Sequence, residues 1–150
     1  MCGIFGYFKN KSISVKERQE LLLNFIKTQH RGPEHNVFKN VSGDIILGFH
    51  RLRIVDLKNG AQPFQDEEET LFCICNGEIY NHKELRVKHE LNTKTESDCE
   101  VILSLYEKYG ENDIDKLIAE LDGVYAFCIV DIRDIKPKII IARDPHGIRS

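Results

Sequence analysis

The chain has 150 residues, a formal net charge of −3, 41% hydrophobic and 30% charged residues, the composition of one ordinary globular domain with room for a real core. No basic run or arm points to a phosphate backbone, no apolar run reaches the roughly 18–20 residues of a membrane span, and the N-terminus lacks the basic-then-apolar pattern of a signal peptide. Nucleic acid and membrane are therefore not expected partners, and a reducing cytoplasm is the expected location.

Met1-Cys2-Gly3-Ile4-Phe5-Gly6 opens the chain. Cysteine is small enough that the initiator methionine would ordinarily be removed, leaving Cys2 as the true N-terminus. Its free α-amine, titrating near pH ~8, could then take the proton of its own thiol. The alternative is a small residue buried at the start of a strand. Residues 2–8 read as that strand, with Gly3 and Gly6 permitting close backbone approach.

Val15 to Gln29 reads as a helix with Leu22, Leu23, Phe25 and Ile26 on its apolar face. Gly32-Pro33 ends it and forces a loop, which accounts for that dipeptide but less well for Arg31 beside it. Asp44 to Leu52 is a second strand, with Arg51 at its end where a side chain can enter a cleft. Residues 53–64 carry turn signals without a period and read as an ordered loop, and 66–69 as a solvated acidic turn.

Leu71 to Cys75 reads as a short strand ending at Asn76-Gly77-Glu78-Ile79-Tyr80-Asn81. Asn-Gly favours a hairpin turn, yet His82 to Glu90 looks helical. A strand–Asn-Gly–helix junction would aim an amide side chain and a backbone N–H at one spot, as an oxyanion requires. Ser97-Asp98-Cys99-Glu100 reads as a capping box ahead of a helix with the apolar face Val101, Ile102, Leu105, Tyr106 and Tyr109, stopped by Gly110. Asp98 is satisfied by the helix dipole there, and would also sit exposed at the helix mouth to meet a substrate ammonium. Asn112 to Glu120 is a shorter helix. Gly123–Ile132 and Lys138–Arg143 are strands so continuously apolar that both faces should be covered. The chain ends in a turn over residues 144–150 that looks cut rather than finished. A single αβ domain is the reading.

Five cysteines and six histidines raise a metal site, with Cys73 and Cys75 as a C-x-C. No second close pair answers them, the histidines are scattered, and in a strand the two would be small core residues on one face. No metal is expected.

The ordered set Met1-Cys2-Gly3-Ile4-Phe5-Gly6, Arg31-Gly32-Pro33-Glu34, Arg51-Leu52-Arg53-Ile54-Val55-Asp56, Gly60-Ala61-Gln62-Pro63, Asn76 to Asn81, Ser97 to Glu100, Asp122-Gly123 and Arg143-Asp144 resembles the N-terminal glutaminase domain of glutamine-dependent asparagine synthetase, a class II glutamine amidotransferase. The resemblance spans essentially the whole chain. It implies an N-terminal-nucleophile hydrolase fold of the α+β class, a four-layer αββα sandwich of two antiparallel sheets flanked by helices.

The resemblance also implies roles. Cys2 would be the nucleophile on the side-chain amide of glutamine and its α-amine the base. Asn76 and the Gly77 N–H would form the oxyanion hole. Arg51 would pair with the α-carboxylate, Glu78 and Asp98 with the α-ammonium, and backbone from Leu52 through Arg53 and Ile54 to Val55 would line the pocket. An amino acid independently asks for one such cation and one or two anions, and a bidentate arginine suits the carboxylate. Amidophosphoribosyltransferases and glucosamine-6-phosphate synthases share the opening motif. Arg143 to Arg149 leans toward the phosphoribosyl enzymes, while the Gly60–Pro63 and Asn76–Asn81 motifs favour the synthetase.

Residues 1–150 are thus expected to be a glutaminase domain truncated at its C-terminus, without its synthetase domain. No cofactor is expected here. ATP and magnesium belong to the missing synthetase, and neither G-x-x-x-x-G-K-[ST] nor G-x-G-x-x-G occurs in the chain. The expected partners are L-glutamine and a synthetase domain or separate ammonia acceptor, with a homodimer left open. The rival functions are a catalytically idle glutamine-binding or regulatory module, the glutaminase part of an amidophosphoribosyltransferase-like enzyme, and a thiol–metal module on Cys73, Cys75, Cys99 and Cys128.

Overall fold

Alternating apolar residues sort the strands into two antiparallel sheets in a computed structural model, which describes residues 2–52 and 60–149. The first sheet holds β1 (Gly3–Phe8), β2 (His35–Ser42) and β3 (Ile45–Arg51) in the order β1-β3-β2. The second holds β4 (Phe64–Gln65), β5 (Leu71–Ile79), β6 (Gly123–Asp131) and β7 (Lys138–Arg143) in that order. Side chains two apart share a face. Ile45 and Leu47 of β3 therefore meet Phe72 and Ile74 of β5 and Cys128 and Val130 of β6 between the sheets, with Ile4 and Phe8 beside them.

The residues between these point outward. Cys73, Cys75, Tyr125, Phe127 and Ile129 pack under α3 (Val101–Tyr109), with Leu85 of α2 (His82–His89) and Leu117 of α4 (Ile114–Glu120). On the far side α1 (Val15–Lys27) covers the first sheet through Phe25. The Phe25 ring lies 5.7 Å from Phe5 and stacks on His50 at 3.8 Å. Gly48 makes the room, since a Cβ there would stand 2.6 Å from that ring. The layers are helix, sheet, sheet, helix, as the resemblance implied.

Several local expectations need correction. β2 carries mostly polar residues on an edge, so no apolar alternation announced it. Of the apolar face assigned to α1 only Phe25 is buried, and Leu22, Leu23 and Ile26 are exposed because the helix touches the sheet along one short line. The helix start is a Ser14–Glu17 capping box, with the Ser14 N–H to Glu17 at 2.9 Å and the Glu17 N–H to Ser14 at 3.3 Å. Ser97 makes no such bond. Glu100 instead accepts the N–H groups of Lys94 at 2.8 Å and Thr95 at 2.7 Å, tying down the preceding loop.

β5 does not turn at Asn76-Gly77. The strand runs to Ile79, with Asn76 opposite Ala126 and Gly77 opposite Tyr125. Gly77 serves close approach rather than a turn, because a Cβ there would lie 2.4 Å from the Val124 carbonyl oxygen. β7 is an edge strand covered on one face only. A groove of about 450 Å³ bordered by β1 and β7 leaves Ile141 71% exposed. The expected terminal turn is gathered by Asp144, whose carboxylate accepts the N–H groups of Tyr125, His146, Ile148 and Arg149 at 2.9–3.3 Å.

Candidate active site

The pairing of β1 with β3, Gly3 opposite His50, carries Cys2 to the end of the first sheet. There the Leu52 N–H donates to the Cys2 Sγ at 3.4 Å, and the thiol faces the Leu52 carbonyl at 3.6 Å. Arg31 Nε donates to the Cys2 carbonyl at 3.3 Å. Gly32 lets the chain lie against β3, since a Cβ there would be 2.5 Å from the His50 carbonyl, and Pro33 bridges to Arg51. The Arg31-Gly32-Pro33-Glu34 motif therefore brings Arg31 onto the backbone of Cys2, a role the sequence left open.

Cys2 opens on a pocket of about 70 Å³ whose walls include Arg51, Leu52, Gly60, Gln62, Gly77 and Asp98. The open edge of β5 supplies one wall. β4 pairs with β5 only at Phe64–Cys73 and Gln65–Phe72. Beyond it, edge groups find other partners at every second residue. Gln62 takes both the N–H and the carbonyl of Cys75, the Cys99 thiol approaches the Gly77 carbonyl at 3.6 Å, and Asp98 accepts the Ile79 N–H at 2.8 Å. The same two-residue repeat sets the Gly77 N–H on this edge, toward the pocket.

Of the residues singled out in the sequence, the structure therefore brings Cys2, Arg51, Leu52, Gly77 and Asp98 around one cavity. Asn76 is 2% exposed and lies between two lining residues. Asp98 is 7% exposed rather than open at a helix mouth, because its carboxylate is drawn in by the Ile79 N–H. Glu78 is exposed and is not among the lining residues. Met1, Arg53, Ile54 and Val55 lie outside the described residues.

Burial separates the thiols. A hydrogen bond with Cys75 and burial together hold Cys99 well above the usual thiol range. At Cys75 the Cys99 bond pulls downward, but burial and the nearby Cys73 and Asp98 carry the thiol up on balance. Both stay protonated at neutral pH, while Cys2 is half-buried at the pocket mouth. Among the described residues no three His, Cys, Asp or Glu side chains gather as a metal site. Gln62, Gly60 and Cys99 border the pocket without having been assigned a place there. The Gly60–Pro63 motif was the one available signal for the first two.

A family model described as a glutamine amidotransferase domain matches residues 1–150. The chain is 40% identical over 153 residues to glutamine-hydrolysing asparagine synthetase of Rattus norvegicus, covering 99% of this chain and 26% of the relative. It is 40% identical over 151 residues to that of Zea mays, covering 99% and 24%. The human protein is 39% identical over 153 residues, with 99% and 26% covered. The chain thus spans about a quarter of the length of these relatives. Among solved structures, glutamine phosphoribosylpyrophosphate amidotransferase from B. subtilis, complexed with ADP and GMP, superimposes with a TM-score of 0.73 at 23% identity, covering 97% of this chain and 38% of that one. That likeness concerns the fold.

Proposed function

The chain belongs to the glutamine amidotransferase domain family, and on that footing we propose that it hydrolyses the side-chain amide of L-glutamine to glutamate and ammonia through a Cys2 thioester. The observation that carries this reading is the Cys2 thiol on one small pocket with Arg51, the Gly77 edge and Asp98. After removal of Met1 the Cys2 α-amine takes the thiol proton. The thiolate attacks the amide carbon, and the carbonyl π-electrons move onto oxygen. The Gly77 N–H and the Asn76 carboxamide stabilise that oxyanion. Its collapse breaks the C–N bond as the α-ammonium protonates the amide nitrogen, which leaves as ammonia. Water, deprotonated by the same amine, then opens the thioester.

Arg51 binds the substrate α-carboxylate and Asp98 its α-ammonium, with Leu52 on the pocket wall. This domain needs no cofactor for that chemistry, since nucleophile, base and oxyanion donors are its own. The ammonia passes to a synthetase domain or separate acceptor that consumes ATP, with magnesium, to convert aspartate to asparagine. The cytoplasm supplies the reducing environment that a free Cys2 thiol needs. The identity with asparagine synthetases along almost the whole chain supports this assignment over a phosphoribosyl enzyme.

The test is release of glutamate from glutamine by the processed protein and by Cys2→Ala. Turnover that disappears in the variant supports the reading, and no turnover by a processed Cys2 overturns it.

A further inference from the structure

β4 gives β5 two paired residues, Phe64 opposite Cys73 and Gln65 opposite Phe72. Extending that register by two residues sets position 62 opposite Cys75. The backbone ladder stops at Phe64, the first residue of β4. The Gln62 side chain takes the ladder's place: its Oε1 accepts the Cys75 N–H at 2.6 Å and its Nε2 donates to the Cys75 carbonyl at 3.1 Å. One carboxamide reproduces the pair of bonds that a facing strand residue would make. It does so while buried, with 6% of Gln62 exposed, where an unpaired N–H or carbonyl is costly.

The residues that follow Cys75 are Asn76 and Gly77. Any slack in the Cys75 peptide would pass directly to the two groups assigned to the oxyanion. Gln62 itself borders the pocket, yet its polar atoms are spent on the backbone. From this geometry we infer that Gln62 is a positioning residue, clamping the edge of β5 so that Asn76 and the Gly77 N–H meet the developing oxyanion. This rests on the glutaminase reading for its catalytic consequence.

The clamp demands one acceptor and one donor at fixed spacing. An ionised glutamate at 62 would keep the acceptor but set a second negative oxygen against the Cys75 carbonyl. Its protonated form would restore a donor. A methionine keeps the approximate volume and removes both bonds.

The experiment compares Gln62→Met and Gln62→Glu with the wild-type protein in steady-state kinetics and in amide hydrogen exchange at Cys75, Asn76 and Gly77. Gln62→Met should lower kcat about tenfold, less than the 10²–10³ lost when an oxyanion donor is removed outright, with KM within twofold. For Gln62→Glu, the ratio of variant to wild-type kcat should rise as pH falls from 8 to 5. Exchange at Cys75 should quicken in Gln62→Met. A raised KM with unchanged kcat, or a Gln62→Glu ratio independent of pH, would overturn the inference. If the wild-type protein hydrolyses no glutamine, the glutaminase reading fails on its own. Exchange at Cys75 then still decides the clamp, which is refuted if Gln62→Met protects that amide as well as wild type does. Should Gln62→Met not fold, the pH series of Gln62→Glu carries the test.

Discussion

Asp98 accepts the Ile79 N–H at 2.8 Å, so one carboxylate both closes the open edge of β5 and presents an anion to the pocket. The two tasks separate chemically, because asparagine can still accept that N–H but carries no charge. Asp98→Asn should raise KM for glutamine roughly 10–100-fold, the loss of a charged hydrogen bond of about 1.5–3 kcal/mol, with kcat and melting temperature nearly unchanged. Asn76→Ala should instead lower kcat by about 10²–10³. Steady-state kinetics reads both, and the reverse pattern would overturn the two assignments.

Gly77→Ala tests why the Asn-Gly pair sits inside a strand. Alanine in a strand interior is ordinarily favoured over glycine by about 0.5–1 kcal/mol. Here the added methyl would stand 2.4 Å from the Val124 carbonyl oxygen and 2.6 Å from the Tyr125 Cα, both backbone. Overpacking of that kind costs about 1–3 kcal/mol, so denaturant unfolding should show a net loss of stability. A variant as stable as wild type would mean that the sheet spreads freely at this point.

Arg31 holds the Cys2 carbonyl through its Nε at 3.3 Å. Arg31→Met keeps the aliphatic stem and deletes that bond. Loss of about 1 kcal/mol of positioning should slow kcat roughly fivefold, and slow capture of Cys2 by a glutamine-like electrophile to match. An unchanged capture rate would show that Leu52 alone orients the thiol.

Acid should loosen the C-terminal turn. Burial pushes the Asp144 carboxyl up, but N–H donors from Ile148, Arg149, Tyr125 and His146 outweigh it and hold the group below the usual carboxylate range. A depressed value means that the stabilisation is complete above the ordinary carboxylate pKa of ~4 and is lost as pH falls through the folded value. Protection of the 146–149 amides, relative to their intrinsic exchange rates, should therefore fall on acidification below pH ~4, and Asp144→Asn should remove most of that pH dependence.

The parts legible in the sequence were those where one face of an element had to be apolar. Cys2 to Phe8 and the α3 residues Val101, Ile102, Leu105 and Tyr106 declared themselves in this way, and the ordered motifs located Cys2, Arg51, Gly77 and Asp98 on one pocket. What stayed hidden depended on partners distant in the chain. Asn76-Gly77 carries turn chemistry locally, and only the approach of Val124 and Tyr125 keeps it extended. Glu100 matched a capping box with Ser97, yet the Lys94 and Thr95 N–H groups claimed it. Gln62 stood in a recognised motif without a role, because the Cys75 peptide it serves is thirteen residues away.

The central claim is that Cys2 is a processed N-terminal nucleophile in a formed glutamine site. Intact mass before and after exposure to an electrophilic glutamine analogue tests it most directly. The account predicts loss of Met1 and one adduct, mapped to Cys2 and prevented by excess glutamine. A processed Cys2 that takes no adduct would contradict it and favour an idle glutamine-binding module.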